Sequence, residues 1–150
     1  MSARDRLPNA RATFARGPRV NVLVIDDSES ARAGISAVLV NAGFPVFELP
    51  SAIGASRTIL RNNIGAVVVD VSMPGLSGDK LVTVLRKNGA LSTLAIIVVS
   101  SDAAQLALIA NDPGIDAVIP KSAIATELVA AIERHVGAPR RESAPGRPGA

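Results

Sequence analysis

Between residues 20 and 136 the sequence alternates between short apolar runs and segments with helical spacing. The runs are rich in β-branched residues, and they cover residues 20–25, 45–49, 65–69, 94–99 and 116–119. Three of them are close to continuously apolar, which is typical of strands that are buried on both faces. The chain therefore predicts a sheet that is covered on both sides.

Segments with helical spacing separate these predicted strands. Two show it clearly in their apolar residues: Ala31, Ile35, Val38, Leu39 and Ala42, and then Ala125, Leu128, Val129, Ile132 and Val136. Residues that suit a helix N-cap stand at five places, Ser28, Ser51, Asp79, Asp102 and Ser122. Glycines follow the first and last helical segments as predicted C-terminal stops, Gly43 and Gly137.

Five strand–helix repeats predict an α/β fold with a parallel sheet and helices on both faces. Right-handed crossovers leave few topologies for such a chain. Repeats of this size favour the flavodoxin-like, doubly wound, five-stranded arrangement with strand order 2-1-3-4-5. In that order the first and third strands are neighbours, and ligands bind beyond the carboxyl ends of the strands.

The charge divides the chain into three parts. Residues 1–19 hold five Arg and one Asp, and residues 138–150 hold three Arg and one Glu, whereas the middle holds eight basic and eleven acidic residues. Because the terminal segments are too rich in Ala, Pro, Gly and Arg to form a core, we predict flexible basic tails over 1–19 and 138–150 and a domain over 20–137. The basic charge lies outside the predicted folded part, so we expect no direct DNA binding.

Composition excludes several functional classes. The chain has no Cys and a single histidine, His135, which argues against disulfides, thiolate zinc sites, multi-histidine metal sites and a serine–histidine relay. Its only aromatic residues are three Phe, too few for a base-stacking surface. No apolar run reaches the roughly 18 residues of a membrane helix, and Pro8 lies where a signal peptide would be apolar. We therefore expect a cytoplasmic protein.

Polar residues follow four of the five predicted strands. Asp26 and Asp27 follow the first strand, and Asp70 follows the third. Ser100 ends the fourth strand, and Lys121 follows the fifth. Because the carboxyl ends of parallel strands meet at one edge, we expect these side chains to share one crevice.

This set of side chains suits phosphoryl chemistry. Three adjacent carboxylates repel one another, and Mg²⁺, which prefers oxygen ligands, would relieve that repulsion. A lysine beside them suits phosphate, and a carboxylate can itself attack a phosphoryl group to form an aspartyl phosphate. Taken singly, each residue is more often a turn, cap or surface residue. Their shared position favours a site.

Over about residues 20–136 the sequence resembles the receiver domain of two-component response regulators. The resemblance rests on Val-Leu-Val-Ile-Asp26-Asp27 with Arg32 following, Asp70-Val-Ser-Met73-Pro74-Gly75-Leu-Ser-Gly78, Val-Val-Ser100 and Lys121. It implies a signalling protein whose only chemistry is self-phosphorylation and autodephosphorylation. The implied donor is the phosphohistidine of a sensor histidine kinase or a phosphotransfer protein.

The resemblance also implies a role for each site residue. Asp70 would be the phosphoacceptor. Mg²⁺ would be bound by the carboxylates of Asp27 and Asp70 and the backbone carbonyl of Ser72, with Asp26 acting through water. Two side chains would bind the phosphoryl group, the switch hydroxyl of Ser100 and the ammonium of Lys121.

The chain departs from the family at two positions. Ser122 follows Lys121, where the family usually has a proline in a cis peptide bond. A cis bond costs about 2.5–4 kcal/mol without proline, so we expect a trans bond and an altered loop, which leaves the reach of Lys121 open. Val118 occupies the position of an aromatic switch residue on the fifth strand, and valine cannot make the inward rotation of Tyr or Phe.

Our working hypothesis is a stand-alone response regulator receiver that switches a protein-interaction surface. Residues 103–110 are apolar on nearly all sides, so this helix is either buried or an interface. We favour the interface, with docking of a downstream protein or a homodimer through residues 103–136. Only 13 residues follow Gly137, too few for a DNA-binding module, although the chain can also be a fragment of a larger protein.

Two alternatives stay open. Val118 and Ser122 favour a receiver-like interaction scaffold that works without phosphorylation, whereas the complete acidic set opposes it. A hydrolase or a flavin carrier with the same sheet order is a more distant alternative. Flavin binding would need aromatic stacking that this chain lacks.

Overall fold

The computed structural model describes residues 19–72 and 78–136, which form one sheet with helices around it. The strands are β1 (Asn21–Ile25), β2 (Val46–Leu49), β3 (Ile64–Asp70), β4 (Ala95–Ser100) and β5 (Ala117–Pro120). The α-helices are α1 (Glu29–Asn41), α2 (Ala55–Arg61), α3 (Gly78–Arg86), α4 (Ala103–Ile109) and α5 (Ile124–His135). Short 3₁₀ turns cover Gly89–Leu91 and Lys121–Ala123.

The sheet has the strand order β2-β1-β3-β4-β5, and each pairing is parallel. The predicted flavodoxin-like, doubly wound fold is therefore confirmed. At the carboxyl edge, Asp70 of β3 pairs with Val99 of β4, and Ser100 pairs with Pro120 of β5. This register brings the ends of neighbouring strands to one edge of the sheet.

Apolar side chains fill both faces of the sheet. Along β1, Leu23 and Ile25 join a core that includes residues of α2, α3 and α4. Val22 and Val24 point the other way and join a core that includes residues of α1 and α5. Because successive residues of a strand face opposite sides, a strand between two helical layers needs apolar residues throughout.

Two predicted N-caps and one predicted C-terminal stop are confirmed. The Ser28 hydroxyl accepts a hydrogen bond from the Ala31 amide at 3.2 Å and starts α1. Asp102 starts α4 by accepting from the first-turn amides. Gly43 has φ of 96°, and its amide donates to the carbonyl of Val40, so a left-handed glycine ends α1.

The other three predicted N-caps are wrong. α2 begins after Gly54, which has φ of 82°, while the hydroxyl of Ser51 accepts from the Ile53 amide in the preceding loop. Ser122 lies in the 3₁₀ turn before α5, whose N-cap is Ala123, and α3 begins at Gly78, before Asp79. Short polar side chains also stabilise turns, so spacing alone does not locate a cap.

Some predictions lie outside the described residues. They concern residues 1–18 of the predicted tail over 1–19, the Met73-Pro74-Gly75 part of the motif that follows Asp70, the stop at Gly137 and the tail over 138–150. Arg19 is described, and it donates to Glu133 at 2.7 Å with its guanidinium 4.7 Å from the centre of the Phe44 ring. Within the described ranges no helix is long and apolar enough to cross a membrane.

A hydrogen-bonded cluster around Arg86 connects α3 to the edge of the sheet near β4 and β5. The guanidinium donates to Asp116 at 2.9 Å and to the carbonyls of Gly114 and Leu91 at 3.0 and 3.2 Å. Asp116 also accepts from the amide of Ile96 at 2.8 Å. The cluster lies at the end of β4 opposite Ser100, and it fixes the loop that leads into β5.

Candidate functional site

Three carboxylates meet at the carboxyl edge of the sheet. Asp26 follows β1 and Asp70 ends β3, and these side chains are almost completely buried, with 0% and 2% of their residue surface exposed. Asp27 is exposed beside them. One oxygen from each of the three carboxylates lies within 4.8 Å of the others. The three carboxylates therefore lie together at the edge of the sheet, where the sequence predicted a shared crevice.

Local backbone contacts hold Asp26 in place. Its Oδ1 atom accepts from the amide of Ser28 at 2.9 Å, and its own amide donates to the carbonyl of Leu49 on β2. Arg32 on α1 donates to the Asp26 carbonyl at 2.7 Å and to Glu48 at 3.0 Å. Arg32 therefore connects α1 to the ends of β1 and β2, a positioning role that the sequence alone did not give it.

Asp70 uses its two oxygens differently. Oδ1 accepts from both the amide and the hydroxyl of Ser72, at 2.9 and 2.6 Å. Oδ2 accepts from Nζ of Lys121 at 3.1 Å. Burial raises the pKa of Asp70, but the hydrogen bonds from Ser72 and Lys121 outweigh it and keep the pKa below the ordinary value of 3.8. Asp70 is therefore a carboxylate at neutral pH.

Lys121 reaches both buried carboxylates. Its Nζ atom lies 2.8 Å from Asp26 Oδ2 and 3.1 Å from Asp70 Oδ2. Burial lowers the pKa of Lys121, but its contacts with Asp26 and Asp70 outweigh it and raise the pKa above 10.5. No described peptide bond is cis, so the expected trans bond before Ser122 is confirmed, and the lysine reaches the site from the 3₁₀ turn.

Ser100 ends β4 beside this cluster and is completely buried. Its hydroxyl accepts from the amide of Asp102 at 2.9 Å and bonds Oε1 of Gln105 at 3.1 Å. Nε2 of Gln105 donates to the carbonyl of Val71 at 3.1 Å. Gln105 is the one polar residue within Ala103–Ile109, and that polar character is the signal in the sequence that marks it out from the rest of the helix.

Helix α4 lies largely on the surface. Leu106 is buried, whereas Leu108 is 86% exposed and both Ala104 and Ala107 are exposed. The alternative of a well-covered core helix is therefore wrong, because one turn of a short helix can face the sheet while the opposite side stays open.

Val118, at the aromatic-switch position on β5, is partly buried and packs against the core.

The donor set of the carboxylate cluster fits a hard divalent cation. Asp26, Asp27 and Asp70 offer oxygen ligands, which Mg²⁺ prefers, and none of the three is a soft ligand. One ammonium group, that of Lys121, contacts two of these carboxylates. The cluster therefore keeps excess negative charge that a cation would neutralise.

Comparisons with known proteins agree with this geometry. A family model described as the response regulator receiver domain matches residues 22–133. The solved structure of a response regulator receiver domain protein from Clostridium thermocellum superimposes with a TM-score of 0.68 at 26% identity, over 77% of this chain and 93% of that chain.

Curated relatives give the same result from sequence. Response regulator MprA of Mycobacterium sp. (strain KMS) is 32% identical over 112 residues, which are 74% of this chain and 48% of that protein. The gliding motility regulatory protein of Myxococcus xanthus is 32% identical over 118 residues, which are 77% of this chain and 15% of that protein. The chain thus spans about half the length, or less, of these relatives.

Proposed function

The chain belongs to the response regulator receiver domain family of two-component signalling, and we propose that Asp70 is its phosphoacceptor. The supporting observation is the position of Asp70, which is buried, ionised and in contact with Lys121. The proposed donor is the phosphohistidine of a sensor histidine kinase or a phosphotransfer protein. The cytoplasmic location expected from the sequence remains a prediction.

In the proposed reaction a carboxylate oxygen of Asp70 attacks the phosphorus of the phosphohistidine. The new O–P bond forms as the P–N bond breaks, and the imidazole nitrogen leaves with the electron pair. Lys121, already 3.1 Å from Oδ2, would neutralise charge on the transferring oxygens, and the Ser100 hydroxyl would donate to one of them. Attack of water on phosphorus later breaks the P–O bond to Asp70, which releases inorganic phosphate and returns Asp70 as a carboxylate.

The carboxylates of Asp27 and Asp70 and the carbonyl of Ser72 are the proposed Mg²⁺ ligands, with Asp26 acting through water. A bound Mg²⁺ supplies charge neutralisation at the phosphoryl oxygens. The chain itself supplies the orientation, because Ser28 and Arg32 fix the Asp26 backbone and carboxylate. Removal of the cation should therefore stop phosphorylation without unfolding the site.

Incubation with acetyl phosphate and Mg²⁺, read by intact mass, tests the acceptor. The wild type should gain one phosphoryl group, and both Asp70→Asn and removal of Mg²⁺ with EDTA should abolish the gain. Asp102→Asn is a matched control, because Asp102 is an exposed acid at the same edge that caps α4. A phosphoryl group retained by Asp70→Asn would refute the acceptor.

Two surfaces beside the site support interaction with partners. An apolar groove of about 350 Å³ between α1 and α5, lined by Ile35, Val38 and Ile124 among others, runs up to Lys121 and is our candidate surface for the phosphodonor protein. On the other side, the exposed face of α4 around Leu108 is our candidate output surface, for a downstream protein or a second copy of the chain.

A second candidate function is an interaction scaffold that works without phosphorylation. It is favoured by Val118, which lacks the aromatic ring of the usual switch residue, and by Ser122 after the lysine. Beryllofluoride, a phosphoryl analogue, separates the two functions. Binding of the analogue with a change at α4 supports the phosphorylation switch, whereas no Mg²⁺ binding and no response to the analogue support the scaffold.

A further inference from the structure

The side chain of Gln105 connects the Ser100 hydroxyl to the backbone that follows Asp70. Its Oε1 atom lies 3.1 Å from Oγ of Ser100, and its Nε2 atom lies 3.1 Å from the carbonyl oxygen of Val71. Val71 directly follows Asp70, and its amide donates to the carbonyl of Val99 on β4. Gln105 therefore bridges the ends of β3 and β4 from the first turn of α4.

The chemistry of these groups fixes which atom donates. The Val71 carbonyl only accepts hydrogen bonds, so the amide nitrogen of Gln105 must face it, and Oε1 must then face Ser100. The amide of Asp102 already donates to Ser100 Oγ, which leaves the Ser100 proton as the donor to Gln105. The single hydroxyl proton of Ser100 is thus committed to Gln105 in this state.

We propose that Gln105 is a positioning residue that competes with the phosphoryl group on Asp70 for the proton of Ser100. The inference rests on the proposed function, in which Ser100 donates to a phosphoryl oxygen. A hydroxyl has one proton, so that donation requires the bond to Gln105 to break. Gln105 therefore holds Ser100 in the unphosphorylated arrangement and opposes its transfer to the phosphoryl group.

The same bridge transmits the change to α4. Gln105 is the polar side chain among otherwise apolar residues of Ala103–Ile109, and α4 has a largely exposed face. When Ser100 turns to the phosphoryl oxygen, the carbonyl of the Gln105 amide loses its partner, and the first turn of α4 loses its side-chain link to β4. Phosphorylation of Asp70 thereby changes the position or the order of α4 without an aromatic residue on β5.

Beryllofluoride titration in the presence of Mg²⁺ tests the competition, with the bound fraction read by ¹⁹F NMR on the full chain. Gln105→Ala removes the competing acceptor and should tighten beryllofluoride binding by roughly three- to tenfold, the range that one neutral hydrogen bond contributes. Gln105→Leu, which keeps more of the side-chain volume, should do the same. Cooperative thermal unfolding of both variants without beryllofluoride shows that they are folded.

Ser100→Ala is the matched background. If Gln105 acts through the Ser100 proton, Gln105→Ala should leave the beryllofluoride affinity unchanged in a Ser100→Ala chain. The two substitutions form a double-mutant cycle, which measures the coupling between Gln105 and Ser100 in beryllofluoride binding. Backbone amide shifts of residues 104–106 supply a second readout. In Gln105→Ala, these shifts should change less on beryllofluoride binding than in the wild type.

The outcomes distinguish failure of this inference from failure of the proposed function on which it rests. Tighter binding in Gln105→Ala that disappears in the Ser100→Ala background supports the inference. Unchanged or weaker binding in Gln105→Ala, or an equal gain in both backgrounds, overturns it while the phosphoacceptor role of Asp70 stands. A wild-type chain that does not bind beryllofluoride overturns the proposed function, and the inference with it.

Discussion

Lys121 forms an ion pair with Asp26, with 2.8 Å between Nζ and Oδ2. The two residues lie near opposite ends of the folded domain in the sequence. The same ammonium lies 3.1 Å from Asp70. The lysine is therefore shared by the two buried carboxylates that would also face a cation. It stabilises their charges in the absence of metal, and it occupies oxygens that a metal would use.

Replacing Lys121 by Gln should tighten Mg²⁺ binding, because the competing ammonium leaves the oxygens of Asp26 and Asp70. We expect about a fivefold gain, since a partly exposed ion pair contributes about 1 kcal/mol. Isothermal titration calorimetry measures the affinity, and Lys87→Gln, at an exposed lysine, is the control. Weaker Mg²⁺ binding by Lys121→Gln would mean that the lysine organises the site rather than competing within it.

Ser72→Ala should raise the pKa of Asp70 in metal-free buffer, because Oδ1 loses the hydroxyl donor at 2.6 Å. A carboxylate with a lowered pKa stabilises the fold above its unfolded pKa and loses that contribution as the pH falls through its folded pKa. In Ser72→Ala this contribution should be smaller, and its loss should be complete at a higher pH than in the wild type. Carboxyl ¹³C shifts and melting curves against pH measure both effects.

Ser101→Ala is the control for this change, because Ser101 is an exposed serine at the same edge of the sheet. It should leave the titration of Asp70 as it is in the wild type. If Ser72→Ala titrates like the wild type, then Lys121 and the Ser72 amide suffice to lower the pKa of Asp70.

The strands and the carboxylate cluster could be predicted from the sequence because parallel strands impose both. Buried strands need continuous apolar runs, and their carboxyl ends meet at one edge, which brings Asp26, Asp70 and Lys121 together once the strand order is known. No side-chain detail is required for that step. The functional roles of these residues remain predictions.

Features that depend on loop geometry could not be predicted in this way. α2 starts at a left-handed glycine, Gly54, rather than at Ser51, because the loop turns before the helix begins. The contact of Gln105 with Val71 joins residues 34 positions apart, and it depends on how α4 is rotated over the sheet. A helix that is apolar on nearly all sides carries no signal for that rotation.

Arg86→Ala should lower the free energy of unfolding by about 2–3 kcal/mol, because it leaves the partly buried Asp116 and two carbonyls without the guanidinium donors. Arg86→Lys should recover little of it, since an ammonium cannot reproduce the fork of donors. Urea denaturation measures the loss, and Arg57→Ala, at an exposed arginine, should stay within about 0.5 kcal/mol. Equal effects at both positions would show that the cluster around Arg86 adds no stability.

The two leucines of α4 should respond in opposite ways. Leu106 is 6% exposed, so Leu106→Ala should cost about 2–4 kcal/mol of unfolding free energy, as is usual for a truncated core leucine. Leu108 is 86% exposed, so Leu108→Glu should change stability by less than about 0.5 kcal/mol. If α4 is the output surface, Leu108→Glu should also weaken any self-association that beryllofluoride induces, measured by sedimentation velocity. Association that is as strong in Leu108→Glu as in the wild type would place that interface elsewhere.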